Sequence, residues 1–186
     1  MRCPKCETVL TGGAFFCSNC GAPVPVTPAS AESPAFTPGA SYERRMVTIL
    51  FADIVSFSTL SEHIDPEVLY DIMREAYPCL LEPVQDHAGT LVRVMGDGVL
   101  AYFGAPIAQE DDPERAVIAG LEIVARIQAY AGQLRLERGL DHFSVRVGIN
   151  TGLVVVGDIY LDKTQEYNAL GDAVNLAARL QQNAPP

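Results

Sequence analysis

Met46-Val-Thr-Ile-Leu-Phe-Ala-Asp53-Ile-Val-Ser-Phe-Ser58 is an apolar run that ends in a carboxylate and then in small hydroxyl residues. Val47, Ile49 and Phe51 alternate with Thr48 and Leu50, and β-branched residues dominate, which predicts a buried strand with Asp53 at its C-terminal end. An ionised carboxylate in that place needs a cation, because an unpaired buried charge is costly.

A companion for it lies in Thr90-Leu-Val-Arg-Val-Met-Gly96-Asp97-Gly98-Val-Leu-Ala-Tyr-Phe-Gly104. Two short apolar runs flank Gly96-Asp97-Gly98, the pattern of a β-hairpin with a tight glycine turn and Asp97 at its tip. If the hairpin pairs beside the first strand, Asp53 and Asp97 meet. Two carboxylates with backbone carbonyls nearby form an all-oxygen site suited to Mg²⁺ or Mn²⁺. A pair of such ions suits phosphoryl or nucleotidyl transfer on a nucleoside triphosphate. Structural turn aspartates share the pattern, so a third element is needed.

Tyr167-Asn168-Ala-Leu-Gly171-Asp172-Ala-Val-Asn175-Leu-Ala-Ala-Arg179 reads as a short strand, a Gly-Asp helix start and an amphipathic helix. Asn175 and Arg179 stand at i and i+4 on one face. Such a pair can point into a cleft, the amide orienting a hydroxyl and the guanidinium neutralising phosphate charge. The three segments, in this order and spacing, resemble the class III adenylate/guanylate cyclase catalytic domain of the soluble bacterial type, over roughly Arg44 to Asn183.

The resemblance implies an α+β, ferredoxin-like core and a definite set of roles. Asp53 and Asp97 match the family's metal-binding aspartates, and the Ile54 carbonyl its backbone ligand. The amides of Val55, Ser56, Phe57 and Ser58, entering a helix, match its triphosphate cradle, where free N–H donors meet phosphate oxygens. Asn175 and Arg179 match the pair that orients the ribose and stabilises the transition state, and Lys163 matches a phosphate-contacting cation. The implied reaction converts ATP, or GTP, to a 3′,5′-cyclic nucleotide and pyrophosphate with two Mg²⁺ or Mn²⁺ per site. Each site lies between two domains, the aspartates of one facing the Asn and Arg of the other, so a head-to-tail homodimer is expected. Two positions depart from the family pattern: the base-selecting Lys or Glu is Arg93, and its partner, Asp or Thr, is Asn168. Arg keeps the charge with a bulkier planar fork, and Asn can both donate and accept. ATP is the expected base. The family continues past Pro186, so the chain reads as a C-terminally truncated domain.

Composition bounds the rest. The 186 residues, 48% hydrophobic, suit one medium domain, 43–186, plus an appendage. A formal net charge of −10 argues against nucleic acid or an anionic membrane as partner. Neither a spanning apolar run nor a targeting segment is evident, so a cytoplasmic location is expected. Residues 1–22 carry Cys3-Pro-Lys-Cys6 and Cys17-Ser-Asn-Cys20, spacing that suits a structural, four-thiolate Zn²⁺ ribbon. Two disulfides or a redox dithiol remain as alternatives, disfavoured by the absence of a secretory signal and of a βαβ context. Residues 23–42, rich in Pro, Ala and Ser, read as a flexible linker.

In the remaining chain, Asp65-Pro66 and Asp111-Asp112-Pro113 read as helix starts. The first helix turns Val68, Leu69, Ile72, Met73, Ala76, Leu80, Leu81 and Val84 inward, to about Val84, with a kink at Pro78. The second runs to about Arg138. Cys79 reads as a buried thiol, and His63 and His87 as groups at helix ends. Ser144–Thr151 and Leu153–Ile159 read as two strands joined by a turn at Thr151-Gly152, with Tyr160–Gln165 as an exposed arm and the helices on one face of the sheet. Beside the active cyclase stand a nucleotide-binding regulatory module without turnover, and a zinc-ribbon interaction protein with an unidentified protein partner whose globular part is scaffold.

Overall fold

The computed structural model describes Cys6, Cys20 and residues 42–55, 57–161 and 164–185, with the backbone alone at 58, 59, 158–161 and 164–166. The chain divides into two units, Met1–Gly39 and Ala40–Pro186, and the fold described is that of the second. Of the four cysteines expected to form a ribbon, Cys3 and Cys17 lie outside the described residues, as do Ser56 and Lys163.

The order of elements is β1 (Tyr42–Ile54), α1 (Phe57–His63), α2 (Pro66–Asp86), β2 (Thr90–Met95), β3 (Gly98–Phe103), α3 (Asp112–Arg138), β4 (Val145–Leu161), β5 (Thr164–Leu170) and α4 (Asp172–Asn183). The strands form one antiparallel sheet in the order β2-β3-β1-β4-β5. With α2 crossing from β1 to β2 and α3 from β3 to β4, this is the expected α+β, ferredoxin-like arrangement, extended by β5. Among the described residues no helix is long and apolar enough to cross a membrane.

β1 starts at Tyr42, inside the stretch read as linker, and is buried on both faces from Val47 onward. Leu50, Ala52 and Ile54 join Val99, Ala101 and Phe103 of β3 under α2 and α3, where Ile72, Ala76, Leu80, Ile123 and Ile127 are fully covered. Each of the larger side chains, Leu, Ile, Val or Phe, contributes about 1.5–3 kcal/mol of burial. α2 begins as expected, with Asp65 accepting a hydrogen bond from the Glu67 N–H at 2.9 Å, and carries Pro78 and Pro83 within its span. Val68 proves exposed and Cys79 half-buried. α3 reaches Arg138, its end closed by Gly139 in the left-handed conformation. At the end of α2, His87 bonds Glu122 at 3.0 Å.

Two expectations are corrected. The helices do not share one face: Val47, Ile49, Leu100, Tyr102, Val154 and Val156 make a second core on the opposite side, covered by Ala173 and Ala177 of α4. Nor does the chain turn at Thr151-Gly152, since β4 runs unbroken from Val145 to Leu161 and pairs all of β1 from Val145 to Gly157. Gly152 is there for closeness. A Cβ on it would sit 2.6 Å from the Ala173 Cβ, and one on Gly148 would sit 2.2 Å from the Gln181 N, so these glycines let α4 lie directly on the strand. Thr151 stays in the sheet, its Oγ1 2.9 Å from that of Thr48 on β1.

Candidate active site

The end of β1 and the β2–β3 turn place Asp53 and Asp97 together. Gly96 takes the positive φ, 64°, that the tight turn requires, and Asp53 stands opposite Gly98 in the ladder. A Cβ on Gly98 would lie 2.7 Å from Asp53 Oδ1, so this glycine leaves the room the carboxylate occupies. The turn is pinned twice: the Ile54 N–H donates to the Asp97 carbonyl at 3.2 Å, and the Tyr77 hydroxyl of α2 donates to the Gly96 carbonyl at 2.6 Å.

Burial first, and then the Asp97 charge, push the Asp53 carboxyl above its ordinary range, while Arg146 pulls it down. Burial likewise raises Asp97, opposed by a backbone hydrogen bond and by its hydrogen bond to Asp53. Two apposed carboxyls that resist ionising together form a site that favours a cation. Among the described residues no third His, Cys, Asp or Glu side chain joins them. A divalent ion fits here as Mg²⁺ usually fits, with two carboxylates, a backbone carbonyl such as that of Ile54, and oxygens from water or substrate phosphate.

Arg146 is the residue the sequence reading missed. It pairs with Asp53 across the β1–β4 ladder, so the two side chains stand on the same face. Its Nη1 reaches the Gln182 carbonyl at 3.5 Å, and its Nε is buried without a hydrogen-bond partner among the described residues. A half-buried guanidinium beside Asp53 brings positive charge to the edge of the carboxylate pair, where an anion could also meet it. One signal was available: a charge on the strand face opposite Val145, Val147 and Ile149, between the small residues Ser144 and Gly148.

The expected phosphate cradle is narrower than read. The Val55 N–H is taken by the Ser144 carbonyl at 2.9 Å, which extends the ladder by one step. The Phe57 and Ser58 amides stand in the first turn of the seven-residue α1, whose dipole is small.

Asn175 and Arg179 are exposed on α4, Arg179 with an ion pair to Asp172 at 3.8 Å. α4 sets Ala173, Ala177 and the Gln181 backbone against β4, so at 100° per residue Asn175 and Arg179 fall on the far side of the helix. Within one chain they face away from the strand bearing Asp53.

Arg93 and Asn168, expected from the sequence to select the base, lie on the two outer strands, β2 and β5. Tyr102 of β3 is buried with Ala169 of β5, while Val92 of β2 and Tyr167 of β5 pack against the same cluster. The sheet therefore curls enough to bring its outer strands toward each other. Burial pushes the Tyr102 phenol up, opposed by the Ala169 N–H and by Arg93. Asn168, next to Ala169, accepts that same N–H on its own Oδ1 at 2.8 Å.

Residues 40–186 match the Adenylate and Guanylate cyclase catalytic domain. The chain belongs to this family. Adenylate cyclase 1 of Rhizobium meliloti is 37% identical over 138 residues, which are 74% of this chain and 21% of that protein. The adenylate cyclase of Anabaena cylindrica is 27% identical over 146 residues, 77% of this chain and 28% of that one, so the cyclase chain spans a minor part of these relatives' length. Among solved structures it is similar to the guanylyl cyclase Cya2, 36% identical with a TM-score of 0.72, over 77% of this chain and 72% of that one. The adenylyl cyclase CyaB from P. aeruginosa is 30% identical with a TM-score of 0.75, over 78% of this chain and 75% of that one.

Proposed function

We propose that this cyclase-family chain converts ATP to 3′,5′-cyclic AMP and pyrophosphate as a head-to-tail homodimer, in intracellular signalling. The observation that carries the reading is the apposition of Asp53 and Asp97 beside Arg146, with Asn175 and Arg179 on the side of α4 that their own Asp53 does not face. Neither half is complete alone. A second copy turned head to tail supplies the missing half, and the exposed Leu176 and Leu180 flanking that pair favour such a docking.

Asp53, Asp97 and the Ile54 carbonyl hold the divalent ions, which when bound neutralise triphosphate charge and make the ribose 3′-hydroxyl easier to ionise. Arg146, the amides of Ser56, Phe57 and Ser58, and Lys163 hold the phosphates. Asn175 orients the ribose so that its 3′ oxygen lies in line with the α-phosphorus. The 3′-hydroxyl gives up its proton to solvent as its oxygen bonds to the α-phosphorus, the bond from that phosphorus to the bridging oxygen breaks so that pyrophosphate leaves, and Arg179 stabilises the charge that builds on the transferring group. Arg93 and Asn168 read the base. GTP is a second reading with its own support: the bond from Ala169 to Asn168 Oδ1 turns the amide's donors outward, which suits a purine with oxygen at C6. On their spacing, Cys3, Cys6, Cys17 and Cys20 hold a structural Zn²⁺, and a cytoplasmic location follows from the reaction.

The test is turnover of ATP and GTP with Mn²⁺ over a range of protein concentrations. Cyclic nucleotide formation should rise faster than linearly while dimers assemble. A strictly linear rise down to nanomolar protein would sink the two-copy site.

Arg146→Met should lower kcat/KM for ATP about ten- to a hundredfold, the worth of a hydrogen bond to a charged group. Arg146→Lys should recover part of it. Steady-state kinetics with pyrophosphate inhibition would check this, and unchanged pyrophosphate affinity in Arg146→Met would remove Arg146 from the phosphate site.

A further inference from the structure

Among the described residues two buried side-chain polar atoms lack a hydrogen-bond partner, Arg146 Nε and the Tyr102 hydroxyl. The first lies beside Asp53, in the site already described. The second is a phenol at 0% exposure inside the second core, where an unbonded hydroxyl is costly. Its surroundings explain it. Ala169 is packed in the same cluster; its N–H faces the phenol without reaching hydrogen-bond geometry, and is bonded instead to Asn168 Oδ1 at 2.8 Å. Two acceptors thus compete for one donor, and the loser is Tyr102.

The assignment of the Asn168 amide is unambiguous, because only its oxygen can accept an N–H. While that oxygen is tied to Ala169, Asn168 can offer the base only its NH2 donors. Adenine presents an exocyclic amine at C6, which needs an acceptor, whereas guanine presents an oxygen there, which needs a donor. Reading adenine through Asn168 therefore requires the amide to let go of Ala169, and a backbone N–H left without a partner would resist that release.

Building on the cyclase reading, we propose that Tyr102 is a specificity-setting positioning residue: its hydroxyl takes over the Ala169 N–H when Asn168 turns its oxygen to the adenine amine. The exchange replaces one hydrogen bond with another, so the orphan simply changes places with a satisfied group. In the substrate-free chain Asn168 is bonded and Tyr102 is not. With adenine bound, Tyr102 is bonded to Ala169 and Asn168 to the base. With guanine bound, Asn168 stays on Ala169 and donates outward. Tyr102 thereby favours ATP without touching it, and Arg93 and Asn168 alone do not decide the base.

The test is Tyr102→Phe in the 186-residue chain, which keeps the ring and removes the oxygen. The ratio of kcat/KM for ATP to that for GTP should fall about tenfold, the factor that corresponds to one buried donor left unpaired, with the GTP value nearly unchanged. The melting temperature without nucleotide should hold or rise, because an unbonded phenol oxygen has been removed from the core. Adding Tyr102→Phe to Asn168→Ala should leave the ratio where Asn168→Ala alone puts it, since the two act through one exchange. A merely structural Tyr102 would change stability and leave the ratio alone. An unaltered ratio in Tyr102→Phe, or a double variant whose ratio falls below that of Asn168→Ala, would overturn the assignment. Failure of the underlying reading would look different: wild-type chain that neither forms cyclic nucleotide nor binds fluorescent ATP and GTP analogues with Mn²⁺, and the assignment would fall with it.

Discussion

Asp53→Asn is expected to abolish cyclic nucleotide formation, by about three orders of magnitude or more, while leaving the metal-free chain at least as stable as the parent. Both effects come from the same pair. Removing one of two carboxylates that hold a divalent ion removes several kcal/mol of transition-state stabilisation, and each 1.36 kcal/mol is about tenfold in rate. Without metal, the pair is a burden on the fold. Both carboxyls are raised above the ordinary aspartate value of 3.8, chiefly by burial. The folded state therefore binds more protons than the unfolded chain in the window from that value up to the raised ones, and stability falls as pH rises through it. Asparagine at 53 removes that titration and the charge that opposes Asp97. Melting curves of metal-free parent and variant across pH should therefore diverge, the parent losing more as pH rises. Mn²⁺ should restore the parent at neutral pH by binding the folded state alone and do little for Asp53→Asn. An equal Mn²⁺ shift in both proteins would show that the ion is held elsewhere.

Gly148→Ala is expected to be the most damaging single methyl in the sheet. The added Cβ would lie 2.2 Å from the Gln181 N, 2.4 Å from the Ala177 carbonyl oxygen and 2.7 Å from the Gln181 Cα. All three are backbone atoms of α4, so no side chain can swing away to admit it, and the helix itself has to lift off β4. That opens the contacts of Ala173 and Ala177 with the second core and carries Asn175 and Arg179 out of place. The cost should lie at the upper end of the roughly 1–3 kcal/mol typical of overpacking, a fall in melting temperature of roughly 6–12 °C for a domain of this size. Gly132→Ala is the control: nothing lies within 4 Å of its added Cβ, and it stands in α3, where alanine should stabilise by roughly 0.5–1 kcal/mol. Thermal unfolding of the two variants side by side checks the argument. Equal melting temperatures would mean that α4 is not held against β4 at this point.

The opposed outcomes expected for two Gly→Ala changes show what a single sequence conceals. Gly132 and Gly148 read alike in one dimension, as Gly152 read like a turn, because a glycine's reason is often the backbone of another element that comes close to it. Arg146 was passed over for a similar cause. Its strand was legible from the alternation around it, but its register partner Asp53 stands far away in the chain, and only the β1–β4 ladder pairs them. Tyr102 read as one more apolar strand position, and its unbonded hydroxyl exists only because β5 arrives beside it.

What the sequence determined by itself was local chemistry. An apolar strand ending in Asp53, a Gly-Asp-Gly turn at Asp97, proline-started helices and an Asn175/Arg179 pair one turn apart follow from residue periodicity and from the backbone preferences of Gly and Pro, which act over a few neighbours. The meeting of Asp53 with Asp97 could be anticipated because Asp53 ends one strand and Asp97 sits at the tip of a hairpin expected to pair beside it. The tertiary structure decided the rest: that β4 runs straight through Gly152, that α4 covers the face opposite α2 and α3, that Arg146 stands beside the aspartates, and that Asn175 and Arg179 turn away from them. Each depends on close packing and strand register between segments distant in the chain, and those are set by the summed burial of both cores, which no single stretch encodes.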